Sequence, residues 1–229
     1  MWGTVVNALA IVSGAILGKI LGRSFADNLK ITVMQGLGLG VLLVGIQMAM
    51  QTNNVLIVIF SLVLGGITGE LLRLEWHLDN LGRYLESRVN KENGRQSTFA
   101  QGFVTASLIY CVGAMAIMGA LESGLTGQHR TLYAKSLLDG VMSIMLSSTL
   151  GLGVAFSALP VFVYQGSITL LARWIGMLLN EAVIAEMTAT GGVLIIGIAL
   201  GILEIRKINV GNLLPAVVFA FILGQVFLT

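Results

Sequence analysis

One helical face of the stretch KSLLDGVMSIMLSS carries most of its polar side chains. Ser136, Asp139, Ser143 and Ser147 fall within about 80° of one another at the helical angle of about 100° per residue, and Lys135 lies at the margin. The remaining residues of the stretch are mainly leucine, isoleucine, valine and methionine. Because lipid hydrocarbon satisfies neither a hydroxyl nor a carboxylate, we expect this stripe to face protein or water.

Two kinds of chemistry fit this face. Carboxylate and hydroxyl oxygens are hard ligands, so Asp139 with Ser143 and Ser147 could bind a monovalent cation or a proton, or align a substrate. Alternatively, Asp139 pairs with Lys135 and accepts a hydrogen bond from Ser143, in a static network that fixes helix packing. Lys135 is expected to reach the outer interface with its long stem. The sequence leaves both alternatives open.

Weaker candidates for substrate or ion binding lie on other predicted helices. Asn7 lies in the first, Gln165 in the sixth and Asn212 at the head of the eighth, each able to bond exposed backbone where a helix is broken. Hydrogen bonding between helices is the simpler role for all three. Glycines near these regions would permit unwound turns that expose carbonyls to an ion, namely Gly166, Gly191 and Gly192.

The other reactive residue types give little support for catalysis. His77 and His129 lie in predicted loops, and no HExxH spacing occurs. Cys111 lies in an apolar run and is expected to be a packing residue. We therefore expect no enzyme activity and no cofactor. Solvation at the interface is expected for three acids near predicted helix ends, Glu70, Glu122 and Glu186.

The amino-acid composition predicts which kind of secondary structure carries these residues. The chain has 229 residues, of which 56% are hydrophobic and 10% charged, against about 25% charged in soluble domains. Continuously apolar windows of the length that crosses about 30 Å of hydrocarbon argue for helices, not barrel strands. We predict an all-α, multi-pass transmembrane bundle forming a single membrane domain over 1–229. About 8 helices are expected near 3–22, 31–50, 54–74, 99–121, 134–156, 159–177, 183–204 and 212–228.

Lysines and arginines predict the orientation, because cytoplasmic loops are enriched in them. With the N terminus outside, three of the 13 fall on the outer side, Arg130, Lys135 and Arg173. The cytoplasmic side receives Lys19, Arg23, Lys30, Arg73, Arg83, Arg88, Lys91, Arg95, Arg206 and Lys207. Both termini should then lie outside. Residues 75–98 become a cytoplasmic loop with an amphipathic helix marked by Leu74, Leu78, Leu81 and Leu85.

The first and last thirds of the chain resemble each other. GVLLVGIQM at 40–48 matches GVLIIGIAL at 192–200, and VLIVIFSLVLGG at 55–66 is similar to LPAVVFAFILGQ at 214–225. The expected repeats are 3–74 and 159–228, with 99–156 as central helices. Since matched helices are five positions apart in the helix order, which is an odd offset, equivalent helices would cross the bilayer in opposite directions. The pattern therefore predicts an inverted repeat, as in secondary transporters.

Glycines at four-residue spacing allow close helix packing. The first helix carries Gly14, Gly18 and Gly22, and similar pairs occur on the third and seventh helices, Gly65 with Gly69 and Gly197 with Gly201. Packing within one chain is the simpler use of these glycines, and a homodimer interface is the alternative.

The whole chain resembles an uncharacterised bacterial inner-membrane family, the YqgA/YdfK-like proteins. The resemblance rests on GTVVNALAI at 3–11, SLIYCVGAMAIMGALESGL at 107–125, KSLLDGVMS at 135–143, YQGSITLLA at 164–172 and NLLPA at 212–216. It implies a multi-pass protein of the bacterial inner membrane. It implies no substrate, reaction or functional residue.

A small secondary transporter or ion-coupled carrier fits these features best. The expected partners are the lipid bilayer and a monovalent cation or proton. A non-transporting assembly or regulatory component is the main alternative, and it predicts that Asp139→Asn preserves function. Nucleic acid is not an expected partner, because the net charge is only +2 and the basic residues are spread along membrane-flanking loops.

Overall fold

All regular structure is helical in the computed structural model, which describes residues 1–23, 27–78, 80, 99–111 and 114–228. The prediction of an all-α protein is therefore confirmed. The helices are α1 (Trp2–Arg23), α2 (Asp27–Ala49), α3 (Val55–Leu71), α4 (Phe99–Cys111), α5 (Ala114–Leu125), α6 (Arg130–Leu150), α7 (Gly153–Phe156), α8 (Ala158–Leu170), α9 (Ala172–Leu178), α10 (Glu181–Ile202), α11 (Val210–Leu213) and α12 (Ala216–Leu228).

Within the described residues, five helical segments are long and apolar enough to cross a membrane: Trp2–Gly22, Ile31–Ala49, Gly153–Leu170, Glu181–Ile202 and Val210–Leu228. A sixth arises if α4 and α5, which meet at a bend of 58°, count as one span. The apolar α3 has 17 residues, and α6 is long but less apolar because its buried face carries the polar stripe. These helices make the chain a membrane protein, surrounded by lipid.

The chain reverses its direction after α6 earlier than predicted. We predicted a helix to residue 156 and a turn at SALP, whereas α6 ends at Leu150 and the chain turns at Gly151. Gly151 adopts a φ of 77°, which glycine tolerates without strain. Pro160 lies in the first turn of α8, and α7 and α8 together form one span. The start of α6 also differs from the prediction, since it lies four residues earlier, at Arg130.

Glycines pack α1 tightly against α6, with both helices running in the same direction. A methyl group at Gly14 would overlap the carbonyl oxygen of Gly140, and methyl groups at Gly18 and Gly22 would overlap those of Ile144 and Ser148. The rising order of both sets of numbers shows that the helices are parallel. These glycines are used inside the chain, and the homodimer stays a prediction.

The helices whose sequences resemble each other contact one another in antiparallel pairs. Gly45 of α2 lies against Gly192 and Ile196 of α10, while Gly38 lies against Leu203 just beyond α10. In α3, Gly65 packs on Ala216 and Gly69 on Asn212, so α3 runs opposite to α12. α8 also runs opposite to α1, since Gln165 contacts Asn7 and Gly151, before α7, lies beside Lys19.

The lipid-facing surface follows from which apolar side chains remain exposed. Large apolar residues with more than half of their surface open occur on helices throughout the bundle, including Leu9, Leu39, Phe60, Leu137 and Val163. In water such a surface would drive aggregation, whereas in hydrocarbon it needs no partner. The membrane assignment from composition and the exposed surface therefore agree.

The predicted amphipathic segment is described only in part. Residues 74–78 are helical, and Leu78 and Glu75 pack beside Gly211 of α11. Leu81, Leu85 and the rest of the predicted cytoplasmic loop to residue 98 lie outside the described residues.

Candidate functional site

The polar stripe of α6 faces the interior of the bundle. Asp139 lies near the middle of α6 and is 5% exposed, and Lys135 is 6% exposed. The expectation that Lys135 extends to the interface is wrong. Because α6 begins at Arg130, Lys135 lies more than one helical turn inside the helix, and its ammonium turns toward the carboxylate.

Asp139 accepts hydrogen bonds from two neighbours. The Lys135 Nζ lies 2.9 Å from Asp139 Oδ1 and 2.8 Å from Oδ2, so the ammonium bridges both oxygens. From α1, Asn7 Nδ2 donates to Asp139 Oδ2 at 3.0 Å. The same Nδ2 donates to Gln165 Oε1 of α8 at 3.2 Å. We call Asn7, Lys135, Asp139 and Gln165 the Asp139 cluster; it joins three helices.

The amides of the Asp139 cluster have unused hydrogen-bonding groups. A carboxylate only accepts hydrogen bonds, so it orients the NH₂ group of Asn7 toward itself and the Asn7 Oδ1 away. Among the described residues, neither Asn7 Oδ1 nor Gln165 Nε2 has a partner, although both residues are fully buried. The ion pair is neutral overall. The cluster therefore combines a neutral ion pair with one oxygen, Asn7 Oδ1, that can accept a further hydrogen bond and one NH₂ group, Gln165 Nε2, that can donate one.

Comparison with known proteins identifies the family. The family model described as "Protein of unknown function (DUF554)" matches residues 2–225. The chain belongs to this family. It is similar to the "Uncharacterized membrane protein YdfK" of Bacillus subtilis (strain 168), with 36% identity over 220 residues that cover 94% of this chain and 92% of that one.

A second relative extends the DUF554 assignment. The "Uncharacterized protein YqgA" of Escherichia coli (strain K12) is 27% identical over 220 residues, covering 95% of this chain and 94% of its own. No solved structure matches the chain significantly. The resemblance to YqgA/YdfK-like proteins is confirmed over nearly the whole chain.

The two serines predicted beside Asp139 in this DUF554 chain have other partners. Ser143 Oγ lies 2.7 Å from the hydroxyl of Tyr110 on α4, with both residues fully buried. Ser147 Oγ donates to the carbonyl oxygen of Gly151 at 3.0 Å, which helps to close the end of α6. The predicted Ser143 hydrogen bond to Asp139 is therefore replaced by the bond from Asn7. Tyr110 was missed because its contact with Ser143 joins two helices.

Asn212 lies in a separate cluster at the start of the last span. Its Nδ2 donates to Glu70 Oε2 at 2.6 Å, and its Oδ1 accepts from the backbone N–H of Glu75 at 2.7 Å. Glu75 Oε2 in turn accepts from the N–H of Gly211 at 2.7 Å. Asn212 therefore bonds to Glu70 of α3 and to the backbone that follows α3, which is the simpler role of hydrogen bonding between helices and not bonding to broken backbone of its own helix. Among the described residues, it makes no hydrogen bond to Asp139.

Glu186 of α10 was expected at the solvated interface, and that expectation is wrong. The residue is fully buried. Its Oε1 accepts from the backbone N–H groups of Asn53 and Asn54 at 2.7 and 3.0 Å, and its Oε2 accepts from Thr52 Oγ1 at 2.7 Å. Glu186 therefore stabilises the turn before α3. A sequence signal was available, since the polar turn TNN needs an acceptor for its backbone donors.

The glycines proposed as unwound turns lie in regular helix. Gly166 falls within α8, and Gly191 and Gly192 fall within α10. Gly192 is needed for a different reason, because a methyl group there would overlap the backbone N of Ala49 on α2. Close helix contact, not unwinding, accounts for it.

Two cavities lie along α4. One of about 650 Å³ lies between α2, α4, α10 and α11, and its lining includes Gln101 and Lys207. The other, of about 190 Å³, is lined mainly by apolar side chains and by Cys111, Tyr164 and Thr188. Cys111 and Tyr164 immediately adjoin Tyr110 and Gln165 in the chain. We call the smaller cavity the central chamber; its lining includes chain neighbours of Tyr110 and Gln165 but no member of the Asp139 cluster.

Proposed function

We propose that this protein is a small secondary transporter or ion-coupled carrier of a small solute or ion in the bacterial inner membrane, with both termini outside. The observation that carries the proposal is the Asp139 cluster, a buried ion pair beside two amide side chains, each of which keeps one polar atom without a partner among the described residues. A purely structural ion pair gains most when every surrounding group is satisfied. We propose no enzymatic role and no cofactor.

Exchange of partners at Asp139 would provide the coupling. The Lys135 ammonium contacts both carboxylate oxygens, so an arriving cation meets repulsion until the ammonium withdraws. A proton on Asp139 would remove the attraction that holds Lys135. Binding of the coupling ion and pairing with Lys135 are then mutually exclusive. A ligand that favours one arrangement shifts the population between two conformations of the bundle.

Helix directions support alternating access. The helices matched in sequence, α2 with α10 and α3 with α12, contact each other in antiparallel pairs. An inverted repeat has this geometry, and it gives inward- and outward-facing states similar energies. The central chamber and the larger cavity along α4 offer space for a solute.

A non-transporting membrane component is the second candidate. The tight glycine contacts of α1 with α6 favour it, since they describe a firmly packed bundle. In that case Lys135 and Asp139 only fix the relative positions of α1, α6 and α8, and Asp139→Asn retains function.

Ion-dependent thermal stability tests the proposal. The purified protein, Asp139→Asn and Glu186→Gln would be unfolded in mild detergent across sodium, potassium and pH series. A ligand that binds only the native state raises the transition by mass action. We expect a specific cation or pH response in the wild type that disappears in Asp139→Asn and persists in Glu186→Gln, the matched control with a neutralised buried acid elsewhere.

Flux in proteoliposomes separates transport from binding. Vesicles holding a dye sensitive to the ion under test, which is sodium, potassium or the proton, would be exposed to an imposed gradient of that ion, with empty vesicles as the background. Protein-dependent movement of an ion that is lost in Asp139→Asn supports a carrier. Identical thermal responses in all three proteins, together with no flux above background, would reject it in favour of the static component.

A further inference from the structure

Of the eight buried polar side-chain atoms without partners in the described residues, five lie on α1, on α8 or just before α6, and three lie on α3 and α10. The five are Thr4 Oγ1, Asn7 Oδ1, His129 Nδ1, Gln165 Nε2 and Thr169 Oγ1. Such atoms are rare in native proteins and carry the full penalty of desolvation unless water satisfies them. The five atoms therefore point to water inside this part of the bundle.

These atoms follow a line away from Asp139. Thr4 lies three residues before Asn7 on α1, and Thr169 lies four residues after Gln165 on α8. Because α1 and α8 are antiparallel, both threonines lie one helical turn from the cluster on the same side. Thr4 is fully buried and Thr169 is 6% exposed, so the line runs through protein and not along the lipid surface.

The line ends at the turn that joins α5 to α6. A Cβ atom at Gly124 would overlap the carbonyl oxygen of Thr169, and one at Gly3 would lie 3.2 Å from the Cβ of His129. Residues 124–128 of this turn are exposed. The path therefore has a deep end at Asp139 and an end at the bundle surface, where α1 begins.

We propose that these side chains line a water-filled path that brings a small monovalent cation, the proton included, to Asp139. Its use in coupling rests on the proposed function, whereas its hydration does not. The ligand class follows from the lining. Threonine and amide oxygens are neutral, and the carboxylate at the deep end, that of Asp139, is already paired with Lys135. A divalent cation generally takes several carboxylate ligands, which this path lacks among the described residues.

Few ionisable groups face Asp139 in this region. Lys135 is on its own helix, and α4 presents Tyr110, whose ring centroid lies 5.9 Å from Lys135 Nζ, and the adjacent Cys111. The facing residues of α1 and α8 are the neutral Asn7 and Gln165, with Tyr164 next to the latter. Glu122 and Arg130 lie near the outer end of the path, where Glu122 accepts from the N–H of Thr131.

Thiol accessibility tests the path. Single cysteines at Thr4 and Thr169 would be placed in a Cys111→Ala parent in nanodiscs, which leave both faces open, and treated with a cationic water-soluble methanethiosulfonate. Controls are Ile11→Cys and Val161→Cys, fully buried positions on the same two helices beyond the Asp139 cluster. We expect at least tenfold faster modification at the two threonine positions. Equal, slow modification at all four positions would overturn the proposal.

Isosteric replacement gives a second test that needs no reagent. Valine in place of Thr4 or Thr169 keeps the shape and removes the hydroxyl. If the hydroxyls bond to water, each change lowers the unfolding temperature by about 2–4 °C. If they are dry, removing an unsatisfied group raises it. Thr190→Val is the matched control, since Thr190 is fully buried on α10, its hydroxyl has no partner in the described part of the chain, and it lies outside the path. A rise at all three positions would overturn the path.

The two proposals fail separately. Fast modification at positions 4 and 169 with no ion response in the thermal assay would keep the path and reject ion coupling. An Asp139-dependent ion response with protected cysteines and stabilising valines would reject this path and keep the coupled carrier.

Discussion

Asp139 and Glu186 are both carboxylates buried within apolar helices, yet their surroundings differ. Glu186 receives three hydrogen bonds from the turn Thr52–Asn54, two of them from backbone N–H groups. Asp139 receives its bonds from the side chains of Lys135 and Asn7, and two polar amide atoms close to it lack partners among the described residues. One acid is held mainly by backbone N–H groups of a turn, and the other by side chains alone.

The difference shows that burial of an acid is not by itself a sign of function. Glu186 is the more buried of the two, and its environment is accounted for by helix capping. Asp139 is distinguished by a cationic partner and by neighbouring atoms that lack partners. A mobile cation can replace an ammonium, whereas it cannot replace a backbone N–H without unfolding the turn.

Of the changes considered, removal of the Lys135 side chain should lower the stability of the protein most. Lys135→Ala leaves Asp139 as an unpaired buried charge and should lower the free energy of unfolding by about 3–5 kcal/mol. The measurement is unfolding in mixed micelles. The double variant Lys135→Met, Asp139→Leu should recover most of the loss, since it removes both charges. Equal losses in the single and double variants would contradict a compensated ion pair.

Glu186→Ala should follow, with a loss of about 2–4 kcal/mol, because three donors in the turn before α3 lose their acceptor. Glu186→Gln should lose less, since its carbonyl oxygen still accepts from the backbone. Thermal unfolding of both variants, with and without the ion that stabilises the wild type, measures this. An ion response that vanished in Glu186→Gln would place both acids in one functional class.

A methyl group at Gly14 should cost about 1–3 kcal/mol, since it overlaps the carbonyl oxygen of Gly140 and pushes α1 from α6. The displacement also separates Asn7 from Asp139, so the ion response should weaken. Gly40→Ala is the matched control, because a Cβ atom there meets nothing within 4 Å. Alanine at that helical site should stabilise by up to about 1 kcal/mol. Equal unfolding temperatures for the two variants would be evidence against the close contact.

Ser147→Ala should have the smallest effect, at most about 1 kcal/mol, because it removes one hydrogen bond to Gly151 at the end of α6. Its ion response in the thermal assay should match the wild type. Loss of that response would indicate that Ser147 takes part in ion binding, as the polar stripe predicted. The ion site would then extend beyond the Asp139 cluster.

The sequence by itself determined the membrane character of the chain and the polar face of α6. Both depend on local properties, since the length of an apolar segment is set by bilayer thickness and a helical face by residue spacing. It also identified Asn7, Gln165 and Asp139 as candidates, because polar side chains in apolar segments need partners.

Only the tertiary structure decided which candidates meet. Asn7 and Gln165 join Asp139, Ser143 turns to Tyr110, and Asn212 belongs with Glu70 and Glu75. These choices depend on how each helix is rotated and displaced against its neighbours, which in turn depends on close glycine contacts such as those of α1 with α6. No local segment carries that information, since partners more than 130 residues apart in the chain approach only when the bundle packs.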